Sequence, residues 1–162
     1  MNEEFKDLAS RIRSELPDIE RLVRRVNKAW EHANRTGDDL YLDSVALNLH
    51  GFYGALERLF ELIASTADHK VPEGADWHQR LLEQLTSEVP RVRPAVISRT
   101  VKDALDDFRG FRHVVRNIYT FNIDRNRLQR LVANAPGTAG SVAKELAAFA
   151  DFLEHESDAQ DE

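Results

Sequence analysis

The stretch FRGFRHVVRNIYTFNIDRNRLQR, Phe108 to Arg130, has two halves of different character. The first has helical spacing. At about 100° per residue, Phe108, Phe111, Val114, Val115 and Ile118 gather on one arc, while Arg109, Arg112, His113, Arg116, Asn117 and Tyr119 fall on the other. One face suits packing and the other is polar and basic. Arginines 109, 112 and 116, spaced i, i+3 and i+7, repel one another by roughly 0.2–0.5 kcal/mol per pair. A folded chain therefore needs carboxylates or a bound polyanion beside them.

Upstream of this helix, the turn of Pro90 and Pro94 around Arg91-Val92-Arg93 forbids regular helix, so the spacing predicts a start near Ala95 to Ser98 and an end around Phe121. A short helix from Trp77 to about Val89 precedes it, carrying Leu81, Leu82 and Leu85, after a connection through Pro72 and Gly74. Before that, Asp39 to Ala67 reads as a long helix with Leu42, Val45, Leu49, Phe52, Leu56, Leu59, Phe60 and Ile63 on a wide apolar face. His50, Tyr53, Glu57 and Glu61 occupy its other face. Gly51 and Gly54 either admit a second backbone or ligand, or are tolerated surface glycines. The first helix spans about Asn2 to Ala33, and Pro17 either kinks it or opens a second helix. Downstream, Asp124 is a candidate cap for a short helix through Leu128 and Leu131; Asn134-Ala135-Pro136-Gly137 reads as a break, and a last helix follows from about Ala139 to His155. No strand pattern survives. The expected fold is all-α: an antiparallel bundle of about five to six helices, with two long central ones. Residues 1–155 are expected to form one helical domain, and 156–162 an acidic, frayed tail.

The chain has 162 residues, no cysteine and a formal net charge of −6. Its length allows about two-thirds of the unfolded surface to be buried without staples. Without cysteine there are neither disulfides nor thiolate metal ligands, and the six histidines include no i, i+4 pair, so no metal or cofactor is expected. No signal-peptide pattern and no run of about 18 apolar residues stands out, which points to a soluble, cytoplasmic protein with no membrane attachment. The acidic sum hides a basic segment: Arg109, Arg112, Arg116, Arg125, Arg127 and Arg130 face only Asp124 in their neighbourhood, whereas acids crowd the tail. A phosphate feels charge within roughly 8–10 Å, so local sign outweighs the sum.

Arg112-His113-Val114-Val115-Arg116-Asn117-Ile118-Tyr119 resembles the Arg-x4-His-x-Tyr signature of the HEPN superfamily, and of its HepT-like ribonuclease toxins in particular. The segments LNLHGFYGALERLFELIA (Leu47 to Ala64), DWHQRLLEQL (Asp76 to Leu85) and FRHVVRNIYTFNID (Phe111 to Asp124) are together similar to that branch, over roughly Asp39 to Leu131. The resemblance implies an all-helical homodimer whose motif helices face each other across a cleft, metal-independent endoribonuclease activity, and a nucleotidyltransferase antitoxin of the MNT class. It also implies that the antitoxin silences the toxin by attaching AMP to the motif tyrosine, here Tyr119.

One position departs from the signature: Asn117 stands where the catalytic histidine would, and an amide exchanges no proton near pH 7. Cleavage of RNA by its own 2′-hydroxyl needs a base and positive charge around the phosphate. Arg112 and Arg116 are candidates for the charge, His113 for the proton carrier and Asn117 for positioning the substrate. The competing reading makes His113 exposed or salt-bridged, and pairs the arginines with Asp103, Asp106, Asp107 or Glu57. His50, Tyr53, Glu57 and Arg109 are candidate supports of the cleft, or else a polar layer between helices. Trp77 and His78 read as packing. The alternative function is a catalytically silent module that binds, or is AMPylated by, a partner nucleotidyltransferase.

Overall fold

The computed structural model describes residues 2–160, without the side chains of Asn2 and Thr120; Asp161 and Glu162 of the acidic tail lie outside the described residues. Five α-helices account for most of it: α1 (Asn2–Thr36), α2 (Leu40–Ile63), α3 (Trp77–Thr86), α4 (Arg99–Asn117) and α5 (Arg125–Ala159). Among the described residues there is no strand, only an isolated antiparallel bridge between Val89 and Arg93. The chain is an all-α bundle. No helix among the described residues is long and apolar enough to cross a membrane.

The core is one cluster to which every helix contributes. Ile12, Ile19, Val23 and Val26 from α1 meet Leu49, Phe52, Leu56, Phe60 and Ile63 from α2, and Val142, Leu146, Phe149 and Leu153 from α5 close it. Phe52 and Phe108 meet edge-on, with ring centroids 5.3 Å apart, which ties α2 to α4. Each such fully buried side chain contributes about 1.5–3 kcal/mol relative to exposure.

Several ends differ from the sequence expectation. α5 is a single helix: Pro136-Gly137 does not break it, and Pro17 sits inside an unbroken α1. Both prolines are exposed, so each ring faces water. The neighbours Ile12 and Ile19, Val132 and Ala139 stay buried. Core packing along both sides of the proline outweighs the lost hydrogen bond. α2 runs on through a π-helical turn, Ala64–Asp68, that ends at His69 in the left-handed conformation, φ 51°. α3 stops at Thr86, earlier than expected, and the segment after it is pinned by Arg93. That buried guanidinium forms a two-pronged pair with Asp68, at 2.6 and 2.7 Å, and also donates to the carbonyls of Ser87 and Pro94.

α4 is positioned at both ends. Ser98 caps it, its hydroxyl accepting from the Val101 amide at 3.2 Å, while its own amide donates to Glu145 of α5 at 2.6 Å. At the far end the helix stops at Asn117, short of the expected Phe121. Ile118 is extended, and a 3-10 turn, Thr120–Asn122, leads to Asp124, which caps α5 through the Asn126 amide.

Candidate active site at the end of the fourth helix

Phe108 and Phe111 are buried and anchor the middle of α4, whereas Val114 and Val115 are half-buried and Ile118 is exposed. The apolar arc read from sequence therefore holds for its first two members and weakens beyond them. The last turn of α4 is more exposed than its middle. Beside it lies a cavity of about 550 Å³, lined by Tyr53 and Glu57 of α2, Asp76, His78 and Gln79 around the start of α3, and Arg109, Arg112, His113, Arg116 and Asn117 of α4. Seven of the nine residues singled out for chemistry or support thus share one cavity. The other two, His50 and Tyr119, do not line it.

Glu57 organises the floor. Its carboxylate is buried, 3 % exposed, and carries a partner on each oxygen: Oε1 accepts from Nη1 of Arg112, and Oε2 lies 2.7 Å from Nδ1 of His78. Ion pairing of Arg112 with Glu57, left open by the sequence, is what the structure contains. The Arg112 side chain remains 20 % exposed and lines the cavity while Glu57 holds its Nη1. Arg109 leans on Asp106 at 3.4 Å. Arg116 and His113 are exposed.

Two buried polar atoms at this floor have no hydrogen-bond partner, the Tyr53 hydroxyl and Nε of Arg112. Tyr53 was expected on the polar face of its helix but is 1 % exposed. Burial, and then the nearby Glu57 carboxylate, push its phenol well above its ordinary range, so it stays a neutral donor. Unsatisfied buried donors are uncommon in folded proteins and call for a functional or structural account. Gly54 permits the close fit without demanding it: a Cβ there would lie 3.9 Å from Nε of Arg112, an ordinary contact.

His50 is half-buried. Burial lowers its pKa, as do the positive charges of Arg112, Arg116 and Arg58, which keeps the imidazole neutral beside them. Asn117 turns back on its own helix, its amide donating to the His113 carbonyl at 2.7 Å. A short polar side chain satisfied by the local backbone in this way suits a helix end. Tyr119 lies past that end, 72 % exposed, and stacks on the equally open Phe121 with centroids 5.4 Å apart. It is not a core tyrosine.

None of the downstream arginines lines the cavity, and two of them pack on the bundle. Arg125 lies over the Trp30 ring at 5.1 Å and donates to Asn34, and Arg127 lies over Phe111 at 5.9 Å. His78, weighed from the sequence as packing against base stacking, does pack on Trp77, with ring centroids 3.7 Å apart, and in addition pairs with Glu57. Its pairing with Glu57 spans 21 positions, so no local periodicity reveals it; its place in the DWHQRLLEQL segment was the available signal. Among the described residues no three His, Asp or Glu side chains are grouped to hold a metal ion.

A family model described as HepT-like protein matches residues 44–153, a span that takes in most of α2, all of α3 and α4, and most of α5. Neither a curated protein nor a solved structure gives a match. The matched span contains every cavity-lining residue, and on that match the chain belongs to the HepT-like family of HEPN proteins.

Proposed function

We propose that the chain is a metal-independent endoribonuclease toxin of the HepT type, working in the cytoplasm as a homodimer and neutralised by a nucleotidyltransferase antitoxin of the MNT class. The observation that supports it best is the cavity in which Arg112 and Arg116 stand with His113 and His78. Guanidinium groups stabilise a phosphate as it becomes pentacoordinate, and an imidazole exchanges protons near neutrality. In this reading Arg112, presented by Glu57, and Arg116 hold the phosphate. His113 exchanges protons and Asn117 positions the substrate from the cavity rim. RNA is favoured over DNA because the attacking group is the 2′-hydroxyl. Pairing of two copies is supported by the exposed apolar run Ile118, Tyr119 and Phe121 beside the motif.

The test is cleavage of a single-stranded RNA by purified protein in EDTA. Activity that falls with Arg112→Ala supports the reading, and an inert wild-type chain refutes it. A second reading has its own support: Asn117 bonds to its helix backbone and Tyr119 is open to a modifying enzyme. There the chain is a silent module that binds, or is AMPylated by, the nucleotidyltransferase. Harmless overexpression of the unmodified chain, with co-purification of the nucleotidyltransferase, decides for it; a mass increase of AMP lost in Tyr119→Phe marks modification under either reading.

A further inference from the structure

The Glu57 carboxylate does more than hold Arg112. It is acceptor-only when ionised, so the 2.7 Å contact with Nδ1 of His78 makes that nitrogen the donor. In a neutral imidazole the other nitrogen, Nε2, is then the unprotonated acceptor. The ring is also fixed from its face, because the Trp77 ring centroid lies 3.7 Å away. His78 lines the cavity with 29 % of its side chain exposed, and Nδ1 is taken by Glu57, which leaves Nε2 as its nitrogen without a protein partner for a ligand there. A buried carboxylate that sets tautomer and orientation, below an imidazole whose second nitrogen is left to the substrate, is the arrangement by which hydrolases build a general base. Asn117 cannot do this work, and its amide is already engaged.

We propose that His78, oriented by Glu57, is the general base of this site, that His113 is the matching general acid, and that the substrate is a single-stranded RNA phosphodiester bound between them. The proposal rests on the ribonuclease reading and deepens it. Nε2 of His78 takes the proton of the 2′-hydroxyl as O2′ bonds to phosphorus. The bond from phosphorus to O5′ breaks, and O5′ leaves with the proton of the His113 imidazolium. The products are a 2′,3′-cyclic phosphate and a 5′-hydroxyl, and water then restores both histidines. Arg112 shares the Glu57 carboxylate with His78, which places the phosphate-binding guanidinium next to the base. Groups facing His78 are Glu57 and Glu61 from α2, the cavity arginines and His113 from α4, and Asp76 ahead of α3.

The test compares wild type, His78→Asn and His113→Asn on one oligoribonucleotide, on the same sequence with a 5′-bridging sulfur at the scissile bond, and on its 2′-deoxy form. Asparagine keeps a donor where Nδ1 stood and removes the base. The expected result for His78→Asn is a loss of roughly 100- to 10,000-fold in kcat/KM, with a far smaller change in affinity for the 2′-deoxy strand and loss of the acidic limb of the pH profile. The sulfur, a leaving group that needs no proton, should rescue His113→Asn and not His78→Asn. Cleavage by His78→Asn at the wild-type rate overturns the proposal and leaves the ribonuclease reading standing. An inert wild type ends both. Nitrogen-15 NMR of the full-length wild type guards against a variant that misfolds: an Nδ1–H tautomer of His78, with Nε2 shifting as the 2′-deoxy strand is added, is expected, and an Nε2–H tautomer overturns the assignment.

Discussion

Glu57 and Arg112 form an ion pair from two depths: the Glu57 side chain is 3 % exposed and the Arg112 side chain 20 % exposed. Removing one member of a buried pair leaves the other without its counter-charge, which costs about 3–5 kcal/mol where water is excluded. Because the cavity admits water to Arg112, Glu57→Ala should fall near the low end, about 3 kcal/mol, in urea unfolding. The double variant Glu57→Leu/Arg112→Met removes both charges and should recover most of that loss, so the two singles will be strongly non-additive. Additive losses would show that the pair is not coupled.

Arg116 is exposed on the same helix face. Its charge is therefore free to serve a ligand at little cost to the fold. Arg116→Ala should leave stability within about 0.5 kcal/mol of wild type. Affinity for single-stranded RNA should fall, and the slope of log Kd against log salt should shrink by about 0.7, as one phosphate contact is lost. An unchanged slope would place Arg116 away from the backbone path.

Gly140 lies inside α5, exposed, and a Cβ built on it meets nothing within 4 Å. Alanine there removes unfolded-chain freedom without a clash, so Gly140→Ala should stabilise the protein by about 1 kcal/mol, a rise of roughly 2–4 °C in melting temperature. A drop on calorimetry would mean that the helix needs flexibility at this point.

The all-α fold was legible because it rests on period. Phe52, Leu56 and Phe60, or Val142, Leu146 and Phe149, recur at helical spacing and are buried as that spacing requires. Local capping was legible too, since Asp124 bonds its own near neighbour Asn126. What misled was punctuation. Pro136-Gly137 reads as a stop, but Ala135 and Ala139 pack against the core on either side and carry the helix through. At the site, the resemblance located Arg112 and Asn117, and helical geometry put His113 and Arg116 with them. The Glu57–His78 contact lies across two helices and a loop, where neither period nor spacing reaches. Tyr53 shows the same limit: its place on a helical wheel suggests a polar face, yet its neighbours from α4 bury it.

His50 gives the fold a measurable acid sensitivity. Burial first, then Arg112, Arg116 and Arg58, lower its pKa in the folded chain below the ordinary value of about 6.5. As pH falls through 6.5 the unfolded chain therefore takes up a proton that the folded chain still refuses. More protons bound in the unfolded state mean that stability rises with pH, so it is lost as pH drops from 6.5 toward the lowered folded value. Glu61 acts with the opposite sign: burial and Glu57 raise its pKa, so the stability it contributes is present at low pH and is lost as pH rises. The two are separated by comparing single variants. Urea midpoints for wild type and His50→Gln between pH 7.5 and about 5.5 should diverge, with wild type losing more, because glutamine cannot titrate in that window. Parallel curves would show that His50 is solvated and that the arginines of α4 do not press on it.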